Sequence, residues 1–391
     1  MKLLHTSDWH LGHTLYNYDR TEEQLSMLQQ IADIVKTEKP DLFLLCGDVY
    51  HTTQPSAMVQ TMFVEAIMRI HEANPLMIIV IIAGNHDSGS KHDISQQLWR
   101  TQNVYTIGSL NKEDINQHII ELPNKGYVVA VPYCHERNMP EGFYQTLLDI
   151  VAQRNKQNLP VVMMAHTTVR NCDTTGHENA SELVVGGVDA CDVADMGQGF
   201  DYLALGHIHH EQFIHTGHHN VRYCGTPLPI SFDENFSHSV SIVTIDSHDA
   251  RPNVHTIEIQ NPHPLVTLPT LGFASWSDAK ELLSQFPSNI SAYIRLMVEV
   301  DDFLPPEATS EATMLTEHKE CKFCIINTRR KKAIQSDAKT LSVQEFQTEA
   351  PIDIARNYAE SIGISFDDEL EKLFVFAQHE VDKETRDILD K

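Results

Sequence analysis

The sequence lacks the features of a secreted or membrane-spanning protein. Its longest apolar stretch, residues 76–83, is far too short to cross a bilayer, and the residues after Met1 do not resemble a signal peptide. The 7 cysteines are an odd number and are scattered, which favours reduced thiols over a disulfide framework. We therefore expect a cytoplasmic protein with no membrane contact. Cys321 and Cys324 form a pair without a second pair, and we predict that they lie in a strand rather than in a zinc or redox site.

Basic residues are also scarce. Lysine and arginine number 29 against 54 acidic residues, which gives a formal net charge of −25. Such a chain repels polyanions unless its basic groups are gathered on one face. The run of four cations at residues 329–332 follows a strand-like segment, and such a run is usually a solvated turn. From charge alone, we expect this chain to bind a polyanion weakly unless a partner contributes.

Length and apolar content indicate more than one folded region. A chain of 391 residues is long enough for two or three domains, and 41% apolar content is sufficient for a buried core. Pro262 and Pro264 form a break after a predicted strand at residues 254–259. The second region alternates strand and helix, and the last has an amphipathic helical pattern. We predict domains at residues 1–260 and 265–340 and a helical tail at 341–391.

Two helices are predicted in the first domain. Residues 21–37 begin with Thr21, Glu22, Glu23 and Gln24, which is the pattern of a capping box. Residues 56–73 are apolar on almost every side, although a helix that packs on its own sheet needs only one apolar face. The additional apolar surface indicates either a contact with a second copy of the chain or deeper burial within the domain.

Five short polar motifs in the first 210 residues each follow a segment typical of a buried strand. The strands are predicted at residues 2–5, 42–46, 77–82, 161–164 and 202–205. The motifs after them are Asp8-Trp9-His10, Gly47-Asp48, Gly84-Asn85-His86-Asp87, His166 and Gly206-His207-Ile208-His209. In an open α/β sheet, ligands bind beyond the carboxyl ends of the strands, so motifs that are distant in sequence can converge there. The pattern therefore predicts an α/β fold with one shared polar site.

The residue types in these motifs indicate a pair of metal ions. Carboxylate, imidazole and amide ligands suit Mn²⁺, Fe²⁺ or Zn²⁺ better than Ca²⁺, and the lack of cysteine argues against structural zinc. Two ions roughly 3.5–4 Å apart need a bridging anionic ligand. Asp48 is the preferred candidate, because Gly47 before it lets the backbone turn tightly at the strand end. Such a pair of ions activates water for attack on a phosphoryl group, which predicts hydrolysis of a phosphate ester.

The order of the motifs is similar to that of the calcineurin-like metallophosphoesterases. Residues 4–12, 202–209 and 222–234 more narrowly resemble the SbcD family, the nuclease subunits of bacterial SbcCD complexes. The likeness is strong to about residue 240 and weaker beyond it. It implies a four-layer α/β/β/α sandwich, followed by a small α/β capping domain and a C-terminal helical tail.

The resemblance also assigns roles to individual residues. One metal ion would be bound by Asp8, His10, Asp48 and His209, and the second by Asp48, Asn85, His166 and His207. His86 would stand beside the scissile phosphate as a general acid or a charge stabiliser. His51 resembles a second substrate-facing histidine of archaeal relatives, the alternative being an exposed loop histidine. Asp87 is expected to orient a histidine rather than to bind metal.

The implied activity is that of a Mn²⁺-dependent DNA phosphodiesterase, an exonuclease and endonuclease in DNA repair, recombination and replication. Two copies of the chain would join an SbcC-type ATPase in a heterotetramer, with the tail docked on the ATPase or, alternatively, packed on the capping domain. DNA contacts are implied for Arg329, Arg330, Lys331 and Lys332. The alternative activity is hydrolysis of another phosphodiester, such as a cyclic nucleotide, or of a phosphoprotein. The phosphoprotein phosphatases have Gly-Asn-His-Glu where this chain has Asp87. Because every ligand position is filled, a scaffold without metal is not expected.

Overall fold

The strands that precede the five motifs lie within two six-stranded sheets in the computed structural model. The structure describes residues 1–176, 190–214 and 219–331, followed by 352–353, 355–356, 359, 366–367 and 370–375. Most of the predicted tail at 341–391 lies outside the described residues. Contacts divide the chain into two units, Met1–Arg329 and Arg330–Lys391. In the second unit, residues 370–375 are helical, and Arg356 donates to Glu371 at 3.2 Å.

The first sheet contains the strands that carry the first three motifs. With strands numbered in chain order, it comprises β1 (Lys2–Thr6), β2 (Leu42–Cys46), β3 (Ile78–Ile82), β4 (Val104–Ile107), β11 (Ser239–Thr244) and β12 (Asn253–Glu258). The spatial order is β12-β11-β1-β2-β3-β4. Strands β1 to β4 are parallel, and β11 is antiparallel to both β1 and β12. The parallel arrangement places the carboxyl ends of β1, β2 and β3 at one edge.

The second sheet contains the strands that carry the last two motifs. It comprises β5 (Ile119–Leu122), β6 (Gly126–Ala130), β7 (Val161–His166), β8 (Tyr202–Gly206), β9 (Gln212–Phe213) and β10 (Val221–Tyr223). The spatial order is β5-β6-β7-β8-β10-β9. The four inner strands are parallel, and the edge strands β5 and β9 are antiparallel to their neighbours.

Alternation along the strands produces the four layers. The helices are α1 (Thr21–Glu38), α2 (Ala57–Ala73), α3 (Gly89–Ile94), α4 (Gln96–Arg100) and α5 (Phe143–Arg154). In β2, Phe43 and Leu45 pack in the core with α1 and α2, whereas Leu42 and Leu44 pack in the core between the sheets. The second sheet alternates in the same way between α5 and the first sheet. Because successive strand side chains point to opposite faces, strands covered on both faces are apolar throughout. The layer order is α/β/β/α, as predicted.

Helix α1 begins at the predicted residue, but the predicted capping box is wrong. Arg20 is the N-cap residue and makes no side-chain cap bond. The Thr21 N–H donates instead to the Asp19 carboxylate at 2.6 Å. Gln24, the expected partner of the cap, accepts from the Gly12 N–H at 3.1 Å. Gln24 therefore bonds to the loop after β1 instead of to the N-cap residue of its own helix.

A third sheet follows the sandwich. Its strands are β13 (Leu265–Leu268), β14 (Tyr293–Val300) and β15 (Lys322–Arg330), in that order, with helices α6 (Trp276–Gln285) and α7 (Ala308–Thr316). These elements share a separate apolar core. Cys324 lies in β15 and Cys321 directly before it, and both are free thiols, which agrees with strand positions. Among the described residues, no helix has the length and apolar character needed to cross a membrane.

Candidate metal centre

The five motifs meet at the carboxyl ends of β1, β2, β3, β7 and β8. Backbone bonds join the first two loops, since the Asp8 N–H donates to the Gly47 carbonyl and the His10 N–H to the Asp48 carbonyl, each at 3.0 Å. The His207 N–H of the second sheet donates to the Asp8 carboxylate at 3.1 Å. The structure therefore brings the motifs together across the interface between the two sheets.

Glycines allow the loops to approach so closely. A Cβ atom on Gly47 would lie 2.2 Å from Nδ1 of His166, and one on Gly84 would lie 2.1 Å from Oδ1 of Asp48. A Cβ on Gly206 would lie 2.0 Å from a carbonyl oxygen of β2. Gly47 also has a φ of +93°, which residues with side chains rarely adopt. The glycine in each of these motifs is thus required by the packing around the site.

Backbone strain is concentrated in the same loops. Four predicted metal ligands have positive φ angles: Asp8 (54°), His10 (44°), Asp48 (48°) and His207 (96°). Residues with side chains avoid this region, and such a conformation costs about 1–3 kcal/mol per residue. Strain of this kind persists only where the surrounding bonds enforce it, and it is typical of functional sites.

Asp8, His10 and His209 form the first candidate metal-binding group. One potential metal-ligand atom from each residue lies within 4.8 Å of those from the other two, and all three residues are buried. Nε2 of His10 lies 3.2 Å from Nε2 of His209. Nδ1 of His209 lies 2.9 Å from the Glu234 carboxyl group, and when Nδ1 donates to it, the neutral ring presents an unprotonated Nε2 to the site. The group therefore offers a carboxylate and an imidazole lone pair.

Asp48, His166 and His207 form the second candidate group. Nδ1 of His166 lies 2.7 Å from the Cys46 carbonyl and donates to it, which leaves Nε2 of the neutral ring unprotonated. That nitrogen lies 3.0 Å from Oδ1 of Asn85 and 3.3 Å from Oδ2 of Asp48. Nδ1 of His207 lies 3.0 Å from the same Asn85 oxygen. The unprotonated Nε2 of a neutral His166 ring therefore faces the Asn85 and Asp48 oxygens around a common point.

The spacing of these atoms fits a divalent cation. Ligands at right angles around an ion, with bonds of about 2.1 Å, lie about 3.0 Å apart. The Asn85 oxygen lies 3.0 Å from the nearest nitrogens of His166 and His207, and the Nε2 atoms of His10 and His209 lie 3.2 Å apart, which agrees with that value. Without a cation or proton between them, the facing lone pairs would be buried and unsatisfied. The residues present therefore fit divalent ions.

Asp48 lies between the two groups. Its Oδ2 is 3.3 Å from Nε2 of His166 in the second group and 3.9 Å from Nε2 of His10 in the first. Its Oδ1 accepts a hydrogen bond from the His86 N–H at 2.9 Å. This intermediate position supports the bridging role predicted for the carboxylate.

The pKa values of the buried groups show that the site needs positive charge. Burial opposes the charged form of His166, but the Asp48 and Asp8 carboxylates outweigh it and raise the pKa of His166 to about 9. Burial and the nearby Asp48 charge raise the pKa of Asp8 to about 7. Burial also disfavours the Asp48 carboxylate, yet His166 and His10 lower its pKa below the usual range. A divalent cation would supply the same positive charge without a proton.

Asp87 bonds mainly to backbone groups of the motif loops. Its carboxylate accepts from the backbone N–H groups of Val49 at 3.1 Å, Tyr50 at 3.0 Å and Gly84 at 2.8 Å. A nearby histidine, His92, lies 3.7 Å away and is not a predicted ligand. Asp87 therefore joins the loop after β2 to the loop after β3, and it orients ligands through the backbone.

Glu234 is a functional residue that the sequence analysis did not identify. It is buried, and its carboxylate accepts the Nδ1–H of His209 at 2.9 Å. A carboxylate behind a metal-binding histidine fixes the ring and increases its basicity. Glu234 lies 25 positions beyond His209 in the chain, so no local spacing marks the pair. The only signal was the resemblance of residues 222–234.

His86 and His51 lie beside the first metal-binding group. Donor atoms of His10, His51 and His86 also fall within 4.8 Å of one another. His86 donates from Nδ1 to the His51 carbonyl at 2.9 Å, which fixes the orientation of its ring. The rings of His51 and His86 stack with centroids 5.7 Å apart and an interplanar angle of 18°. The structure therefore pairs the two histidines predicted to face substrate.

The basic run begins in a strand rather than in a turn. Arg329 and Arg330 are the last residues of β15. Arg329 donates to Glu299 at 2.8 Å, and its guanidinium lies 4.1 Å from the centroid of the Phe273 ring. Arg330 and Lys331 are exposed, and Lys332 lies outside the described residues. Arg329 thus has partners within the third sheet.

Comparison with known proteins identifies the family. Residues 1–211 match the calcineurin-like phosphoesterases, and this range is more than half of the chain and includes all seven predicted metal ligands. Three similar curated proteins are each named as the SbcD component of the nuclease SbcCD. The Bacillus subtilis protein is 30% identical over 272 residues, covering 64% of this chain and 67% of the relative. The Rhodobacter capsulatus protein is 28% identical over 302 residues (70% and 73%), and the Escherichia coli K12 protein 25% over 338 residues (78% and 79%). The chain therefore belongs to the calcineurin-like phosphoesterase family.

Proposed function

We propose that this protein is a two-metal DNA phosphodiesterase, with exonuclease and endonuclease activity, in an SbcCD-like complex that processes DNA ends. The observation that carries the proposal is the pair of neighbouring groups of metal-ligand atoms, one formed by Asp8, His10 and His209 and the other by Asp48, His166 and His207. The chain that contains them is similar to the SbcD components of SbcCD nucleases. The mixture of carboxylate, imidazole and amide oxygen supports Mn²⁺ as the ion.

The donor atoms divide between two ions that share Asp48. The first ion is proposed to bind Asp8, His10, Asp48 and His209, and the second Asp48, Asn85, His166 and His207. When bound, such a pair activates a water molecule and stabilises the negative charge of the reacting phosphoryl group. Glu234 would keep the His209 ring oriented, and Asp87 would fix the distance between the loops that carry Asp48 and Asn85.

His86 is proposed to act on the leaving oxygen. The His51 carbonyl accepts its Nδ1–H, so Nε2 is the nitrogen that can meet substrate. To serve as a general acid, the ring must carry protons on both nitrogens, because the neutral ring with Nδ1–H has no proton on Nε2. The parallel ring of His51 is proposed as a second substrate-facing group.

The proposed complex also explains how a strongly acidic chain could act on DNA. A net charge of −25 disfavours DNA binding by the chain alone, so we propose that an SbcC-type ATPase contributes much of the affinity. The proposed layout is a nuclease domain at residues 1–260, a capping domain at 265–340 and an ATPase-docking tail at 341–391. The proposed DNA contacts of the chain itself are Arg329, Arg330, Lys331 and Lys332.

Exposed apolar side chains support a homodimer within this complex. Met58 and Val64 of α2 are 60% and 43% exposed, and Ile94 and Leu98 are 84% and 74% exposed. Val64, Ile94 and Leu98 line an apolar groove of about 630 Å³. A contiguous apolar surface of this kind is typical of an interaction site. We propose that a second copy of the chain covers it.

The charge of the chain also favours one competing function. A smaller phosphodiester or a phosphoprotein would be repelled less than duplex DNA by a net charge of −25. The two activities would share the metal centre and would differ only in substrate.

The deciding experiment compares substrates under identical conditions. Full-length protein loaded with Mn²⁺ is incubated with linear duplex DNA, single-stranded DNA, a chromogenic phosphodiester and a phosphopeptide, with and without an SbcC-type ATPase. We expect cleavage of DNA and of the chromogenic diester, with the ATPase increasing only DNA cleavage. Metal-free protein is the control. Dephosphorylation of the peptide without DNA cleavage in either arm would replace the proposed function with the competing one.

A further inference from the structure

His13 is a third histidine ring in contact with the substrate-facing pair. Its centroid lies 4.7 Å from that of His51, and the two rings meet edge to face at 77°. The His51 ring also contacts the parallel ring of His86. His13 lies three residues beyond the ligand His10 and is not in any candidate metal-binding group. The His13 ring therefore limits the rotation of the His51 ring and is not itself among the proposed metal ligands.

The orientation of the His13 ring is set by Arg20. Nη1 of Arg20 lies 3.4 Å from Nδ1 of His13, and since arginine has only donors, Nδ1 must accept. The ring therefore has one tautomer, with its proton on Nε2.

Arg20 is itself fixed. It is buried, its Nη1 also donates to the Pro229 carbonyl at 2.5 Å, and its Nε lies 3.5 Å from the Glu23 carboxylate. Glu23 accepts in turn from the Tyr293 hydroxyl of β14 at 2.7 Å. The guanidinium is thus bonded to the sandwich on one side and connected to the third sheet through Glu23 on the other.

Gln24 fixes the backbone on which His13 stands. Its amide oxygen accepts from the Gly12 N–H at 3.1 Å, and its amide nitrogen lies 3.4 Å from both the His10 and His13 carbonyls. The start of α1 therefore contacts the loop after β1 through two buried side chains, those of Arg20 and Gln24.

We propose that His13 is a positioning residue for the nuclease reaction, held by Arg20 and Gln24 so that its ring fixes His51 beside His86. The proposal rests on the proposed function, because it needs His51 to face the scissile phosphate. Buried polar bonds hold one ring in one tautomer against a substrate-facing ring, and preorganisation of a reacting group depends on such support. A role in packing alone is the competing explanation.

A double-mutant cycle separates positioning from packing. Initial rates of duplex oligonucleotide cleavage are measured with the Mn²⁺-loaded full-length protein, together with an SbcC-type ATPase, for the wild type, His13→Ala, His51→Ala and the double variant. We expect His13→Ala to lower kcat on the order of 10- to 10²-fold with little change in KM, as a misplaced group does. In the His51→Ala background, the same change should have an effect below about 2-fold, because the residue through which it acts is gone.

Two further substitutions identify which property of His13 matters. His13→Phe keeps a ring beside His51 and loses the acceptor, whereas His13→Gln keeps an acceptor for Arg20 and loses the ring. We expect His13→Phe to restore kcat to within about 3-fold of the wild type and His13→Gln to match His13→Ala. His13→Phe and His13→Gln also keep the proposal testable if His13→Ala does not fold. His248→Ala, which removes a half-buried ring distant from the site, is the matched control and should leave kcat unchanged.

The possible results distinguish the two proposals. If the wild type cleaves none of the DNA substrates, the proposed function fails. If the wild type is active but His13→Ala lowers kcat equally in both backgrounds, or lowers the bound metal content in parallel with the rate, His13 acts on packing or on the metal centre and the positioning role is overturned. Equal loss in His13→Phe and His13→Gln also contradicts a role for the ring.

Discussion

Strand β8 has a cluster of carboxylate and histidine side chains at each end. Beyond its carboxyl end lie His207 and His209 of the candidate metal centre. Before its amino end lies Asp201, whose carboxylate is grouped with His248 and Asp249 within the same 4.8 Å. By residue type and spacing, both clusters could bind a cation.

The hydrogen bonds separate the two clusters. Asp201 is surrounded by donors: the Val161 and Asp249 N–H groups each donate at 2.6 Å, and Nδ1 of His248 lies 2.9 Å away. The Asn85 oxygen, by contrast, lies 3.0 Å from Nε2 of His166, which is an acceptor in the neutral ring because Nδ1 donates to the Cys46 carbonyl. A carboxylate that already accepts three hydrogen bonds has little need of a cation, whereas facing lone pairs require one. Donor and acceptor roles, rather than composition, therefore identify the metal centre.

The same isosteric change should have opposite effects in the two clusters. Asp48→Asn removes the shared negative charge, so we expect both ions to be lost and the rate to fall on the order of 10⁴-fold, since metal catalysis supplies several kcal/mol. Bound metal is measured by elemental analysis and the rate with the chromogenic diester. Asp201→Asn is the matched control and should keep both ions. Loss of only one ion from Asp48→Asn would contradict the bridging role.

His86→Ala should separate the chemistry of the site from its metal binding. We expect both ions to remain and DNA cleavage to fall about 10²- to 10⁴-fold, which is the usual contribution of an acid or base group. Metal content and kcat are measured on the same preparation. A parallel fall of the two quantities would make His86 a ligand.

Removal of the ions should destabilise the metal centre and leave the Asp201 cluster unaffected. At a free Mn²⁺ concentration of a hundred times Kd, each ion stabilises the folded state by about 2.7 kcal/mol, so chelation should lower Tm.

The loss of stability caused by removing the metal ions should increase with pH. In the metal-free protein, the raised pKa of His166 stabilises the fold fully below the unfolded value of about 6.5, and this stability is lost as pH rises through about 9. Calorimetry of metal-free and loaded protein between pH 6.5 and 9 tests this. Parallel curves would indicate that no cation replaces the proton of His166.

The smallest effect is expected for the stability of Asp201→Asn. The amide nitrogen would face an N–H donor, and a mismatched buried hydrogen bond costs about 1–3 kcal/mol. Denaturant unfolding should therefore show a loss of stability in this range without loss of activity. An unchanged midpoint would show that the three bonds to Asp201 contribute little.

Local patterns in the sequence were sufficient to predict the strands that precede the motifs, whereas the four-layer sandwich was implied by the family resemblance. Strand β2 has the predicted bounds, whereas β7 extends beyond its prediction by Ala165 and His166 and β8 by Gly206, because these residues continue the ladder between the two strands. The convergence of the predicted ligands also followed from the sequence, because parallel strands place their carboxyl ends at one edge.

Long-range partners could not be predicted in the same way. Gln24 bonds the loop after β1 rather than its own helix, and Asp87 bonds backbone groups of two loops rather than a histidine. Glu234 reaches His209 from a different loop. In each case the side chain has a local alternative in the sequence, and the choice depends on packing that no local pattern records.

The close approach at Gly47 and Gly206 makes the metal centre sensitive to the distance between the two sheets. Each proposed ion takes ligands from both sheets, and the contacts of Gly47 with the His166 ring and of Gly206 with the Cys46 carbonyl limit how the sheets can shift. Metal–ligand bonds tolerate deviations of only about 0.2 Å. A small shift of one sheet against the other would therefore reduce metal affinity before it exposes any apolar core. Metal occupancy would then report the first loosening of the sandwich, ahead of any spectroscopic sign of unfolding.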